Sequence, residues 1–164
     1  PVIKINLRGK KREFLTNVGK NLNMILPTEA NTSTTSDKLT AIWLSPDEWM
    51  IISNELASKD TNKSDLYEML FNSISKTNLG AVIDVTDQFV QLEIKGKKIY
   101  DLFSSGSPFN FNEFKERKGS TTQTLLNNID VIIHNKDQNY VNLFVRRSFA
   151  NHLFDWMNDF ALRI

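Results

Sequence analysis

Cysteine is absent from this chain of 164 residues. The absence excludes disulfides, thiolate metal sites, cysteine nucleophiles and cysteinyl links to a flavin. It is also typical of proteins in a reducing compartment, so we expect a cytoplasmic location.

The chain also lacks an excess of charge and a long apolar run. Twenty basic and nineteen acidic side chains leave a formal net charge of +1 at pH 7. No long-range field therefore favours nucleic acid or an anionic membrane as a partner. No apolar run approaches the roughly 18 to 20 residues that cross a bilayer, and residues 1–11 lack the hydrophobic segment of a signal peptide. We expect a soluble chain that binds neither nucleic acid nor membrane.

Hydrophobic residues make up 40% of the chain, which is enough to bury a core. The pattern in the first half predicts a strand, a helix, a hairpin and a second helix. Residues 4–9 alternate in polarity, Gly9 permits a change of direction, and an apolar helical stripe follows. Residues 45–48 predict the hairpin turn, and Asn62 or Ser64 is the expected cap of the second helix. The polar run 28–38 predicts an exposed, flexible loop.

The same order of elements is predicted again from residue 80 onward. Two strands meet near residues 86–88, and a short helix follows Gly96. Residues 129–134 and 140–145 predict two further strands, and Ser148 is the expected cap of a last helix. The predicted apolar face of this helix consists of Phe149, Leu153, Trp156 or Met157, and Phe160.

A Gly-Lys-Lys sequence begins the first helix in each half, at Gly9 and at Gly96, 87 residues apart. A phosphate-binding P-loop would need an upstream glycine and a following hydroxyl, and neither copy has them. We therefore interpret the repeat as architectural. The predicted fold is α+β, with two similar split βαβ, ferredoxin-like lobes at about 1–79 and 80–164 and with helices packed on antiparallel sheets.

The sequence predicts no catalytic, cofactor-binding or metal site on this chain. His134 and His152 lack further ligands at a metal-binding spacing, and we expect them at the surface or at an interface. No serine lies in a GxSxG elbow. Asp84 lies within an otherwise apolar strand, so it is either a functional acid or, as we expect, the brace of a turn.

Aromatic and arginine residues point instead to a partner protein. Arg146 and Arg147 separate a strand from a helix, where they could clasp an anionic group of a partner or form an internal salt bridge. Together with Trp43, Trp49 and Trp156, they are the predicted interface residues.

Four segments resemble the gamma subunit family of heterotetrameric sarcosine oxidase. The similarity lies in residues 41–52 (AIWLSPDEWMII), 82–96 (VIDVTDQFVQLEIKG), 119–134 (GSTTQTLLNNIDVIIH) and 143–157 (LFVRRSFANHLFDWM). The resemblance implies a subunit of a complex that oxidatively demethylates sarcosine to glycine and passes the one-carbon unit to tetrahydrofolate. The substrate, sarcosine or another N-methyl amine such as dimethylglycine, would bind to a different chain.

The resemblance also implies which chains carry the cofactors. NAD and the folate-binding region belong to the alpha subunit, FAD belongs to the beta subunit, and FMN lies at their boundary. The gamma chain is expected to contact alpha directly, within a complex that also contains beta and delta subunits.

The fold that the resemblance implies is that of the glycine-cleavage T-protein. That family has a glycine-rich turn and paired acids before the strand that begins near Asp130, whereas this chain has Asn127, Asn128 and a single acid. The departure favours a non-catalytic subunit. The alternative is an independent folate-binding enzyme of the aminomethyltransferase type, with Asp84 or Asp130 as its acid.

Overall fold

The chain forms two compact units, Pro1–Asp87 and Gln88–Ile164. The computed structural model describes residues 2–36, 38–56 and 65–164. Each unit contains one antiparallel sheet and packs its helices on one face of that sheet. The predicted α+β class is therefore confirmed.

The first unit contains five strands and two helices among its described residues. They are β1 (Val2–Arg8), α1 (Arg12–Leu22), β2 (Ser33–Thr35), β3 (Leu39–Ser45), β4 (Glu48–Leu56), α2 (Asp65–Leu70), which continues as a π-helical turn (Phe71–Ser75), and β5 (Ala81–Asp84). The strand order in the sheet is β2-β3-β4-β1-β5. The predicted caps of α2, Asn62 and Ser64, lie outside the described residues.

The core of the first unit follows from the 3.6-residue period of α1. Phe14, Val18 and Leu22 are buried on one side of this helix. They belong to one cluster with the β1 residues Ile5 and Leu7, which are fully buried. Alternation along β1 thus points every second side chain at the helix layer, as the sequence predicts.

The structure differs from the predicted loop over residues 28–38. Ser33–Thr35 forms β2 at the edge of the sheet, where it pairs with β3. The Trp43 N–H donates to the Thr32 carbonyl at 3.1 Å, and the Ser36 N–H donates to the Leu39 carbonyl at 2.8 Å. Backbone pairing needs no apolar side chain, so the polar composition of this edge strand hides it from a hydrophobicity pattern.

The second unit has four strands and two helices. They are β6 (Phe89–Lys95), α3 (Ile99–Gly106), β7 (Thr121–Leu126), β8 (Ile129–Asp137), β9 (Tyr140–Arg146) and α4 (Arg147–Ala161), with a 3₁₀ turn at Phe114–Glu116. The strand order is β6-β9-β8-β7. The core lies between this sheet and the two helices.

Asn127 and Asn128 form the turn of the hairpin between β7 and β8. Both residues have positive φ, at 50° and 62°, which is the conformation of a type I′ turn. Leu126 and Ile129 flank the turn as paired residues. Asparagine tolerates this conformation better than most residues do, so the turn needs no glycine.

The last helix begins two residues earlier than predicted. α4 starts at Arg147 with Arg146 at the N-cap position, and no side chain caps it. The predicted cap, Ser148, therefore lies inside the first turn. The buried face consists of Ala150, Leu153 and Met157, whereas Phe149 is 48% exposed.

The helices of the described chain are short. α4 is its longest helix, with 15 residues. None of the described helices is long and apolar enough to cross a bilayer.

The two sheets share one strand order, which supports the predicted internal repeat. Matching β1 with β6 and β2, β3, β4 with β7, β8, β9 gives β2-β3-β4-β1 in the first sheet and β7-β8-β9-β6 in the second. The first sheet has one strand more, because β5 pairs with β1. The units consequently divide after Asp87, whereas the sequence pattern placed the division near residues 79 and 80.

Candidate partner interface

The two predicted interface arginines lie where β9 ends and α4 begins. Arg146 is the register partner of Phe89 on β6. The Arg147 N–H donates to the Gln88 carbonyl at 2.9 Å, which fixes the start of the helix. Residues 146–149, with the sequence Arg-Arg-Ser-Phe, are all exposed. The junction therefore presents two guanidinium groups and an aromatic ring to the solvent.

A groove of about 470 Å³ lies beside Arg146. Its lining includes Phe144 and Ile132, which are buried, and Leu125, which is 40% exposed. Asp130 and Arg146 also line the groove, and no ion pair joins them. An apolar floor with exposed charges beside it fits a protein contact, in which apolar burial gives affinity and charges give orientation.

Trp49 does not provide partner surface, contrary to the prediction. The side chain is 2% exposed, and its Nε1–H donates to the Pro27 carbonyl at 2.7 Å. The ring also packs against Phe14, with centroids 5.8 Å apart. An indole with its single donor satisfied and its ring in the core is a packing residue.

Trp43 is the register partner of Trp49 on the neighbouring strand. It is partly buried and packs against the same core cluster. Trp156 on α4 is also partly buried, with its ring centroid 6.0 Å from that of Phe160. Both indoles therefore keep only part of their surface for a partner.

The two histidines have opposite environments. His152 is exposed on α4, as expected, but His134 is only 4% exposed, contrary to the prediction. Burial, with a smaller effect from Lys136, lowers the pKa of His134 to about 4. Its strand, β8, continues to Asp137 rather than ending near His134. The apolar residues before His134 do not indicate that this side chain is buried.

Asp84 braces a turn, which was the expected alternative. Its Oδ1 accepts a hydrogen bond of 3.0 Å from the Thr86 N–H, and the residue is exposed. The carboxylate therefore needs no buried cation. Asp130 is exposed as well, and no group of three or more potential metal ligands occurs among the described residues.

A family model provides the decisive comparison. The model for the gamma subunit family of sarcosine oxidase matches residues 9–162. The chain belongs to the sarcosine oxidase gamma subunit family.

A solved structure supports the fold of this gamma-type chain. The chain is similar to one in the structure of heterotetrameric sarcosine oxidase from Corynebacterium sp. U-96 in complex with pyrrole 2-carboxylate. The TM-score is 0.84 at 18% identity, and the match covers 96% of this chain and 78% of the other. A search of curated proteins finds no match.

Family membership makes this chain a subunit of an oxidoreductase complex, sarcosine oxidase, and the other subunits are its partners. The expected resemblance, the two-lobed fold and the role as a gamma subunit are therefore confirmed. Membership does not locate any reaction step on the gamma chain itself.

Some surface features of the gamma chain were not predicted. The groove residues Phe89 and Leu125 escaped notice because alternating strands present such side chains in core and surface positions alike. In the first unit, a second groove of about 530 Å³ lies beside α1. Ile25 in its lining is 83% exposed. A single exposed isoleucine after a helix gives no signal in the sequence.

Proposed function

We propose that this gamma chain is a non-catalytic subunit that binds the alpha subunit directly. In this role it holds the folate-binding region of alpha in position relative to the flavin-carrying beta subunit. NAD and tetrahydrofolate are bound by alpha, FAD by beta, and FMN at their boundary. The gamma chain contributes binding surface to the alpha subunit and no cofactor contact.

The exposed run Arg146–Phe149 is the observation that carries this proposal. Four consecutive exposed residues at a strand-to-helix junction contribute little to the core, because Ala150 is the first buried residue of α4. Arginine and aromatic side chains are also the residues that dominate binding energy at protein interfaces. Such a surface fits a carboxylate-bearing partner.

The adjoining groove adds an apolar component to the same surface. Arg146 lines the groove, so a partner side chain that enters it also comes close to this guanidinium group. Stable subunit interfaces bury roughly 2,000 Å² or more in total. The run 146–149 and the groove would form one part of such an area, with Arg146 shared by both.

The experiment is co-purification of gamma variants with a tagged alpha subunit. We expect Arg146→Ala, Arg147→Ala and Phe149→Ala each to weaken the complex by about tenfold or more, because interface anchors cost roughly 1.4 kcal/mol or more when truncated. Binding is measured by titration, and the thermal stability of each free variant is recorded beside it.

Matched controls separate surface loss from general damage. Phe154 is on the same helix as Phe149 and is 50% exposed, so Phe154→Ala removes a similar ring from another direction. Arg117→Ala is the control for the two arginine variants, because Arg117 is another exposed arginine of this unit. Equal losses for the controls, or lower thermal stability with undiminished binding, would assign Arg146–Phe149 a structural role and refute the proposed contact.

A further inference from the structure

The second sheet has one strand fewer than the first. The missing position lies beside the outer edge of β6. In the first sheet β1 lies between β4 and β5, whereas its counterpart β6 has only β9 beside it among the described residues. The side chains reflect this difference. Ile5 and Leu7 of β1 are fully buried, but the corresponding Leu92 and Ile94 of β6 are only partly buried.

The hydrogen bonds identify which backbone groups of β6 point outward. The Gly96 N–H donates to the Asn139 carbonyl, and the Arg147 N–H donates to the Gln88 carbonyl. Hydrogen-bonded and non-hydrogen-bonded residue pairs alternate along an antiparallel ladder. The even-numbered residues of β6 therefore form backbone hydrogen bonds to β9. The N–H and C=O groups of Gln91, Glu93 and Lys95 therefore point away from the sheet.

The first unit uses the equivalent groups to hold its extra strand. The Gly9 N–H donates to the Asp47 carbonyl, so the odd-numbered residues of β1 bond toward β4. The even-numbered ones bond to β5, as the bond of 2.9 Å from the Val85 N–H to the Lys4 carbonyl shows. Gly9 and Gly96 are 87 residues apart, and the same offset relates Lys4, Asn6 and Arg8 to Gln91, Glu93 and Lys95.

We propose that a strand of the alpha subunit pairs with the outer edge of β6 and completes the second sheet as β5 completes the first. The identity of the donor rests on the proposed function, in which alpha is the direct partner. The addition of a strand to an exposed sheet edge is a common mode of recognition, in which backbone hydrogen bonds provide the affinity.

The repeat also predicts the chemistry of the incoming strand. On β5 the helix-facing residue is Val82, which is 6% exposed and lies opposite Leu7. The alpha strand therefore runs antiparallel to β6 and places an apolar, preferably β-branched, side chain opposite Ile94. That side chain covers the partly exposed core residues.

The edge lacks the usual protection against such pairing. β6 has no proline, and its register with β9 continues from Phe89 to Lys95 without a bulge. The charged side chains are held toward β9, because Glu93 accepts a hydrogen bond of 2.9 Å from the Tyr140 hydroxyl and the Lys95 Nζ lies 4.5 Å from the centre of the same ring.

Residue-resolved hydrogen–deuterium exchange tests the proposal in the free gamma chain, the gamma–alpha complex and the complete tetramer. The amides of Gln91, Glu93 and Lys95 should exchange quickly in the free chain and at least about tenfold more slowly in both assemblies. The amides of residues 90, 92 and 94, which bond to β9, should be slow throughout and report that the sheet is intact. Fast exchange of the outer amides in the assemblies would overturn the proposal.

The other outcomes separate this proposal from the proposed function. Protection in the tetramer but not with alpha alone would reject alpha as the donor, and protection in a self-associated free chain would assign the edge to a second copy. Either result overturns the proposal. Binding to alpha with unprotected outer amides would be consistent with the proposed function and would refute only the strand pairing.

A pair of substitutions at Glu93 provides the matched test. Glu93→Pro removes the outward N–H, whereas Glu93→Ala keeps it and removes only the side chain. We expect the proline variant to bind alpha about tenfold more weakly than the alanine variant, since backbone hydrogen bonds are lost. Equal binding by the two variants, with residues 90, 92 and 94 still protected, would refute the proposed pairing.

Discussion

At the scale of single residues, burial determines the charge of His134. Its pKa in the folded chain is about 4, whereas an unperturbed histidine has 6.5. As the pH falls through 6.5 toward 4, the unfolded chain binds a proton that the folded chain does not. The free energy of unfolding therefore decreases across this window by up to about 3 kcal/mol, and the effect vanishes above the unfolded pKa.

Replacing His134 by glutamine should remove this pH dependence. Between pH 7 and about pH 4.5, the loss of stability in His134→Gln should be about 2 kcal/mol smaller than in the parent chain. Chemical denaturation at both pH values measures the difference. His152→Gln is the control, since it replaces a histidine that is exposed. An unchanged pH dependence in His134→Gln would contradict the assignment.

Trp49 should matter for folding and not for assembly. Trp49→Phe removes the donor to the Pro27 carbonyl, which lies in a buried residue. We expect a loss of about 1–3 kcal/mol in the free energy of unfolding, because a buried acceptor is left unpaired. Trp43→Phe should cost less, since the Trp43 indole is partly exposed. Denaturant titration compares them, and equal losses would show that the 2.7 Å hydrogen bond adds nothing.

At the scale of elements, the two Gly-Lys-Lys joints need glycine for different reasons. A Cβ at Gly9 would collide with the Phe14 ring, which is fully buried. Gly96 has space, with its nearest neighbour at 3.7 Å, but its φ is +151°. Crowding demands glycine at the first joint, and backbone conformation demands it at the second.

These causes predict unequal costs for alanine. Gly9→Ala should destabilise the chain by about 1–3 kcal/mol through overpacking, and Gly96→Ala by about 1 kcal/mol through strain. Thermal unfolding of both variants gives the order. A second change, Phe14→Leu, should recover part of the Gly9→Ala loss and none of the Gly96→Ala loss. Recovery in both would refute the distinction.

The sequence predicts elements well where apolar periodicity is strong. α1 and α3 lie where helices were predicted, because residues such as Phe14 and Leu102 recur at helical spacing. β2 and β7 were not predicted as strands, because Ser33–Thr35 and Thr121–Leu126 are rich in polar residues. The start of α4 differs from the prediction by two residues, because the prediction relied on Ser148 as a side-chain cap, whereas no side chain caps the helix.

At the scale of the whole molecule, the gamma chain should be unable to hold a flavin or a folate by itself. Its proposed task is to offer surface to a larger subunit, so titration of the free chain with FMN, FAD or tetrahydrofolate should give no micromolar binding. Calorimetry measures this, with the assembled tetramer as the positive control. Stoichiometric binding of any of the three would support an independent folate enzyme or flavoprotein instead.

The exposure of the predicted interface residues was only partly predictable from the sequence. Arg146 and Arg147, which were predicted from their residue type and position, are both exposed. Trp49 was misjudged because residue type does not reveal which face of a strand a side chain occupies. The position of β6 at the edge of its sheet could not be predicted, because it is known only once the pairing of the other strands is known.

The placement of β5 has a consequence for synthesis of the chain. Because the first sheet is completed by residues 81–84, a ribosome that has released only the segment before them has delivered a nascent unit without its closing strand. Complete folding of this unit therefore waits until translation has passed residue 84. A protease cut near residue 80 would separate β5 from its sheet and leave the first unit incomplete, whereas a cut after Asp87 leaves that unit whole.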